Sequence, residues 1–277
     1  MILSGDALTQ LRTLPTASAH MAITSPPYWQ QRDYHVAGQL GLEASYEAYI
    51  TKLCDVFDEV KRVLRPDGTA WVNLADSYSG SGGQLPSPLH TKARRLGHTL
   101  PVQPRTSLPR KSLCLIPFRF ALEMVRRGWL LRNTIIWHKP NVVPESVKDR
   151  FTLDFEYLFF FASSRRYYFQ QQFEPATERG TRQDQAYVRN KRCVWSICTK
   201  GFAGNHFAAY PEALLETPIQ AGCPEGGVVL DPFLGTGTTA LAAERLGRRW
   251  IGIELNPEYV QLAEERLRGQ AAGMRVA

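Results

Sequence analysis

The segment Val228-Val229-Leu230-Asp231-Pro232-Phe233-Leu234-Gly235-Thr236-Gly237-Thr238-Thr239 constrains what this chain can fold into more than any other. An apolar run ends in an acid and a glycine-rich turn follows. The stretch Ala240-Leu241-Ala242-Ala243-Glu244-Arg245-Leu246 then has a helical pattern. Glycines permit a tight turn and close approach of the backbone to a ligand, and the N–H groups of a helix start point at it. This is the order of elements that a nucleotide-type ligand needs, although Ala240 stands where a dinucleotide fingerprint has its third glycine. A second strand, Arg249 to Glu254, comes next and closes on an acid roughly where one should meet a ribose. Taken alone, Glu254 reads equally well as a helix N-cap before Asn256-Pro257.

The rest of the chain repeats the alternation. Met1 to Asp6 reads as a short strand ending in Gly-Asp, and residues 7–14 as a short amphipathic helix. Tyr46 to Leu64 has helical periodicity and stops at Arg65-Pro66-Asp67-Gly68, a turn signal. Thr69 to Leu74 is a buried strand. Leu113 to Arg127 is a helix closed by Gly128, with basic residues in its last turn. Trp129 to His138 and Phe155 to Ala162 are strands, while Glu212 to Ala221, after Pro211, and Glu258 to Arg268 are helices. Such alternation predicts an α/β fold with a mostly parallel twisted sheet and helices on both faces.

Near the N-terminus an apolar run leads into Thr24-Ser25-Pro26-Pro27-Tyr28-Trp29. Each proline fixes its own φ and lacks a donor, while its carbonyl can still accept. With a serine hydroxyl and two flat rings, this makes a stiff shelf suited to a planar ring bearing an amino group, such as a nucleobase. Standing alone, the same residues also describe a proline-rich turn with two core aromatics.

Together the two motifs resemble the β-class, permuted, AdoMet-dependent DNA amino-methyltransferases, which move a methyl group from S-adenosyl-L-methionine (AdoMet) to an exocyclic base nitrogen. Ser25-Pro26-Pro27-Tyr28 resembles their catalytic motif in its serine form, and Asp231 to Gly237 their cofactor motif in the Phe-x-Gly-x-Gly form. The catalytic motif comes first, which is the permuted order. Serine is typical of the cytosine-N4 enzymes of restriction–modification systems, whereas adenine-N6 relatives more often carry Asp there. The resemblance implies a Rossmann-like methyltransferase fold. Residues 1–162 form the catalytic half with a basic insertion at 79–112, residues 163–204 a small target-recognition region, and residues 205–277 the AdoMet-binding half. It also accounts for the ends of the chain, because Met1 to Asp6 can supply the strand beside Glu254.

The implied reaction is methylation at N4 of a flipped-out cytosine. An adenine-N6 enzyme and an inactive DNA-binding relative are the alternatives. The Ser25 hydroxyl and, by resemblance, the Pro26 carbonyl accept from the target amine, with Pro27 completing the motif. Tyr28 stacks on the base. Trp29 lines the pocket or belongs to the core. By resemblance, Asp6 contacts the adenine of AdoMet (it suits equally a helix N-cap), Asp231 the methionine amino group, Thr238 its carboxylate and Glu254 the ribose. Phe233, Gly235, Gly237 and Asn256 complete the cofactor set, with Gly237 expected where the backbone approaches the ligand. His206-Phe207 resembles the remaining cofactor motif.

A net charge of +7 suits a polyanionic partner. Residues 79–112 carry no acid but several bases, among them Arg94 and Arg95. The stretch 165–200 interleaves Arg182, Arg189, Lys191 and Arg192 with Tyr167, Tyr168 and Trp195. Either is a phosphate-binding surface or a solvated basic face, and the resemblance places target recognition in the second. Expected partners are double-stranded DNA and a cognate restriction endonuclease, and a homodimer is compatible with the resemblance. The five cysteines form no Cys-x-x-Cys, so no metal is expected. With no membrane-spanning run and no leader pattern, the chain reads as cytoplasmic.

Overall fold

The computed structural model describes residues 1–80, 107–143, 145–176, 188–199 and 210–274. Its strands are β1 (Ile2–Ser4), β2 (Ala19–Thr24), β3 (Leu64–Leu74), β4 (Leu130–His138), β5 (Phe155–Ala162), β6 (Phe173–Pro175), β7 (Val188–Asn190), β8 (Val194–Ser196), β9 (Val228–Asp231) and β10 (Arg249–Glu254). Eight of them form one sheet in the order β1-β10-β9-β2-β3-β5-β4-β8, while β6 and β7 form a separate antiparallel pair. Within the main sheet only β5 runs against its neighbours.

The N-terminal strand sits where the permuted order requires it. Ile2, Leu3 and Ser4 lie opposite Gly252, Ile253 and Glu254, in parallel. The chain's two halves join where Met21 and Ala22 of β2 face Val229 and Leu230 of β9.

The helices are α1 (Ala7–Thr13), α2 (Tyr46–Val63), α3 (Ile116–Arg126), α4 (Glu212–Gly222), α5 (Thr238–Arg245) and α6 (Pro257–Met274). They cover both faces, because successive strand residues point to opposite sides. On one face Leu11, Phe57 and Phe120 from α1 to α3 pack with Val72, Phe159 and Phe161. On the other, Leu214, Ile219 and Ala243 from α4 and α5 pack with Ile23, Trp71 and Phe160. Trp71 and Phe160 are cross-strand partners whose rings stack at 4.1 Å. Each such fully buried Leu, Ile or Phe contributes roughly 1.5–3 kcal/mol relative to exposure.

Three details differ from the pattern-based reading. Arg65 to Gly68 is not a free turn. β3 already begins at Leu64, and the segment bulges out between the pairs Ala19/Leu64 and Met21/Thr69. The helix expected from Leu113 starts at Ile116, because Leu115 turns left-handed (φ 57°) and Asp76 takes over the helix start. Its carboxylate accepts from the N–H groups of Leu115 and Ile116 at 2.9 and 3.0 Å, a cap supplied from far along the chain. Finally, Val194 to Ser196, inside the expected target-recognition region, extends the main sheet beside β4.

From β2 the chain crosses through α2 to β3 on one side. From β9 it crosses through α5 to β10 on the other. The carboxyl ends of β9 and β2 therefore flank the point where the connections diverge, which is where open α/β sheets bind ligands.

Candidate active site

A cavity of about 370 Å³ opens at that point, within the usual size range of ligand pockets. Its walls include the carboxyl ends of four neighbouring strands, with the segment 32–43 and part of α2 closing another side. β1 leads to Asp6, β2 to Ser25 and Pro27, β9 to Phe233, Gly235 and Thr238, and β10 to Glu254 and Asn256. Motifs two hundred residues apart in sequence thus share one cavity. Pro26, Tyr28, Asp231 and Gly237 are not on its wall.

The shelf is fixed from behind. The Pro27 carbonyl accepts from the Tyr49 hydroxyl at 2.8 Å, whereas no donor among the described residues reaches the Pro26 carbonyl. Trp29 is core: it is 3% exposed, its Nε1 donates to the Glu43 carbonyl at 3.0 Å, and its ring meets Tyr46 edge-on. Ser25 Oγ donates to the Tyr28 hydroxyl at 3.2 Å, and that hydroxyl donates to Glu156 Oε2 at 2.7 Å. Tyr28 is therefore tied by its hydroxyl into a half-buried network, a role that its expected ring stacking did not include. Glu156 in turn pairs with Lys139. Neither residue was singled out from the sequence. The available signal was one acid inside the aromatic strand Phe155 to Ala162.

On the other wall, Glu254 Oε2 accepts from Gly235 N–H and Oε1 from Asn256 N–H, both at 2.8 Å. Each oxygen keeps a further acceptor position. Burial pushes the Glu254 carboxyl up, against the pull of these N–H groups. The α6 cap is Asn256, whose Oδ1 accepts from Glu258 N–H at 3.0 Å. Asp6 fills the cap role and also borders the cavity. Its Oδ1 caps α1 through Thr9 N–H at 2.9 Å, while its Oδ2 meets no donor among the described residues. Thr238 Oγ1 and the Thr236 carbonyl both accept from Arg266, at 3.3 and 2.6 Å. Arg266 comes from α6, and no motif marks it.

Two expected cofactor residues stand elsewhere. Asp231 is 1% exposed and braces the loop from behind. It accepts from Phe233 N–H at 3.0 Å, from the Tyr210 hydroxyl at 3.2 Å and from Thr239. Burial pushes its carboxyl up. Gly237 (φ 85°) faces α6: a Cβ there would sit 3.1 Å from Ala263 Cβ. Its left-handed φ and its close packing against α6 are each reason enough for a glycine here. Gly235 (φ 57°) is the glycine whose open side is clear, since nothing lies within 4 Å of a Cβ built there. Gly237→Ala is accordingly expected to lower the melting temperature by roughly 2–8 °C through strain and crowding, with AdoMet affinity retained below the transition. Thermal melts and titration calorimetry check this.

Of the expected DNA contacts, Arg94, Arg95 and Arg182, like His206 and Phe207, lie outside the described residues. Arg189 and Arg192 both pair with Glu174 Oε1, at 2.9 and 2.5 Å, so part of that basic stretch is neutralised internally. Lys191 lies 5.4 Å over the Trp195 ring. Trp195 is 8% exposed, and it and Tyr167 pack against the core, which leaves neither ring placed as an exposed stacking platform. Among the described residues, no group of three or more His, Cys, Asp or Glu could hold a metal ion, and no helix is long and apolar enough to cross a membrane.

A family model described as DNA methylase, of the N6/N4 type, matches residues 19–265. The chain is 44% identical over 274 residues to the Type II methyltransferase M.XycI of Xanthomonas campestris pv. cyanopsidis, covering 97% of this chain and 88% of that protein. Among solved structures it resembles PvuII DNA methyltransferase, described as cytosine-N4-specific, with a TM-score of 0.67 and 21% identity over 95% of this chain and 84% of that one. It also resembles a DNA modification methylase of Thermus thermophilus, solved in complex with S-adenosyl-L-methionine, with a TM-score of 0.61 and 28% identity over 96% and 93% of the two chains.

Proposed function

This chain belongs to the N6/N4 family of DNA methylases, and we propose that it moves a methyl group from AdoMet to the exocyclic N4 of a cytosine flipped out of double-stranded DNA. One observation carries the reading. Ser25 and Pro27 border the same cavity as Asp6, Gly235, Glu254 and Asn256. The residue heading the Pro-Pro-Tyr shelf is a serine, not the aspartate more frequent among adenine-N6 enzymes.

The residues present fit AdoMet. Glu254 offers two carboxylate oxygens with spare acceptor positions for ribose hydroxyls, and Asp6 Oδ2 is a further acceptor on the same wall. Gly235 leaves the backbone side of the loop clear. Thr238 at the start of α5 suits the methionine carboxylate, with the Arg266 guanidinium adding positive charge behind it. Asp231 acts through the loop it braces. When bound, AdoMet supplies an activated sulfonium methyl.

The protein's task lies with the amine. A cytosine amine is a poor nucleophile because its lone pair is delocalised into the ring. Acceptors around the NH2 favour a tetrahedral nitrogen and free that pair as charge develops. The Ser25 hydroxyl oxygen, on the cavity wall, is assigned that role, and by family resemblance so is the Pro26 carbonyl, which no described donor occupies. A nitrogen–carbon bond forms as the sulfur–carbon bond breaks. The methylated nitrogen is acidic and sheds its proton without a strong base. Orientation on a rigid Pro-Pro shelf supplies part of the remainder. The base must leave the duplex to arrive there.

Arg94 and Arg95 are assigned to phosphate neutralisation, and residues 163–204, with Arg182 and Lys191, to target recognition. A cognate restriction endonuclease belongs to the same reading. Digesting DNA methylated by the purified protein to nucleosides tests it. N4-methylcytosine is expected. N6-methyladenine would transfer the reading to an adenine enzyme of the family, and unmodified DNA with AdoMet still bound would mark an inactive DNA-binding relative.

A further inference from the structure

Ser25 carries a single hydroxyl proton, and its direction decides whether the side chain helps or opposes an incoming amine. The groups beneath the shelf set that direction. Ser25 Oγ lies 3.2 Å from the Tyr28 hydroxyl, which has one proton of its own and two acceptors in reach: Glu156 Oε2 at 2.7 Å and Asn73 Oδ1 at 3.1 Å. Asn73 Nδ2 donates to the Tyr157 carbonyl at 3.1 Å, which turns the amide oxygen towards Tyr28. Glu156 is the stronger acceptor of the two, being closer and charged. Its other oxygen accepts from Lys139 Nζ, and the pair is largely buried, with side chains 13% and 16% exposed. Lys139 also lies 4.8 Å over the Trp137 ring. Burial, reinforced by Glu156, pushes the Tyr28 phenol well above its ordinary range, so it keeps its proton.

Apart from Ser25, both side chains bonded to the Tyr28 hydroxyl are acceptors. A phenol that gives its proton away still has lone pairs to fill, and Ser25 is the donor beside it. The Ser25 proton is therefore drawn inward, away from the cavity, and Ser25 Oγ presents lone pairs to whatever lies on the shelf. We propose that Glu156, clamped by Lys139, is a positioning residue that acts through Tyr28 to hold Ser25 as an acceptor towards the target amine. The inference rests on the reading of Ser25 given above. No bond to hydrogen breaks along the chain: Ser25 and Tyr28 keep their protons, and the proton lost by the methylated nitrogen goes to water.

Glu156→Gln tests the arrangement. Lys139 can only donate, so it holds the amide oxygen and turns the amide NH2 towards Tyr28. A charged acceptor is thereby replaced by a donor. With unmodified DNA of mixed sequence and methyl-labelled AdoMet, kcat is expected to fall roughly tenfold or more. AdoMet affinity and the KM for DNA should stay near wild type. Tyr28→Phe keeps the ring, breaks the chain and should lower kcat to a similar degree. On the Tyr28→Phe background, Glu156→Gln should add little. A merely structural Glu156 would instead give losses that multiply, and that result overturns the proposal. So does wild-type kcat in folded Glu156→Gln, or, if that variant does not fold, in Tyr28→Phe. Ser25→Ala separates the two levels. Full activity there removes Ser25 from the mechanism altogether, whereas an inactive Ser25→Ala beside fully active Glu156→Gln and Tyr28→Phe removes Glu156 alone.

Discussion

Ser25→Ala is expected to lower kcat by roughly 10²–10³-fold, the scale seen when one preorganised polar group is removed from around a charge-developing atom. AdoMet affinity should be unchanged. The substitution keeps the Cβ and the two prolines, so the shelf retains its shape. Tyr49 still holds the Pro27 carbonyl, and Tyr28 still reaches Glu156. What disappears is one oxygen at the carboxyl end of β2, on the wall shared with the glycine loop. Single-turnover methyl transfer, measured alongside AdoMet titration, separates chemistry from binding. Wild-type turnover would mean that Ser25 is a turn residue and nothing more.

Gly235→Val should do the reverse, weakening AdoMet binding strongly while leaving the core intact. Gly235 has φ 57°, a region that costs a non-glycine residue roughly 1–2 kcal/mol and suits a β-branched one least. A Cβ there meets no protein atom within 4 Å, and Gly235 borders the cavity. The valine methyls would therefore occupy space left for the ligand. The Gly235 N–H also anchors Glu254 at 2.8 Å, so any backbone adjustment displaces the acid proposed for the ribose. A loss of AdoMet affinity of roughly a hundredfold or more is expected, from about 3 kcal/mol of combined strain and exclusion. Calorimetric titration measures it. Normal affinity would place the cofactor elsewhere. The contrast with Gly237→Ala is diagnostic, because Gly237 faces Ala263.

Much of the architecture was legible because it rests on local signals. β9, the glycine turn and β10 came from apolar runs, glycines and a closing acid, and the pairing of β1 with β10 followed from the motif order. Boundaries failed where a distant residue decided them. Asp76 sets the start of α3, and nothing near Leu113 announces it. The site split along the same line. Residues within a motif reached the cavity: Ser25, Pro27, Phe233, Gly235, Thr238, Glu254 and Asn256. Residues that brace it from other elements did not stand out, since Tyr49, Tyr210 and Arg266 look like ordinary helix or loop residues. Asp231 and Gly237 belong to the motif yet do not line the cavity: the Asp231 carboxylate is held by Phe233, Tyr210 and Thr239, and Gly237 packs on Ala263. Glu174 was overlooked because a run of arginines reads as charge, while an ion pair requires geometry.

The central claim is that the Ser25 shelf and the glycine loop form one active site acting on cytosine. Sequencing with base-level detection tests it most directly, on DNA methylated by the purified protein and by its Ser25→Ala variant side by side. The account predicts N4-methylcytosine at one recurring sequence with the wild type and almost none with the variant. Methylated adenine, or equal cytosine methylation by both proteins, would contradict it.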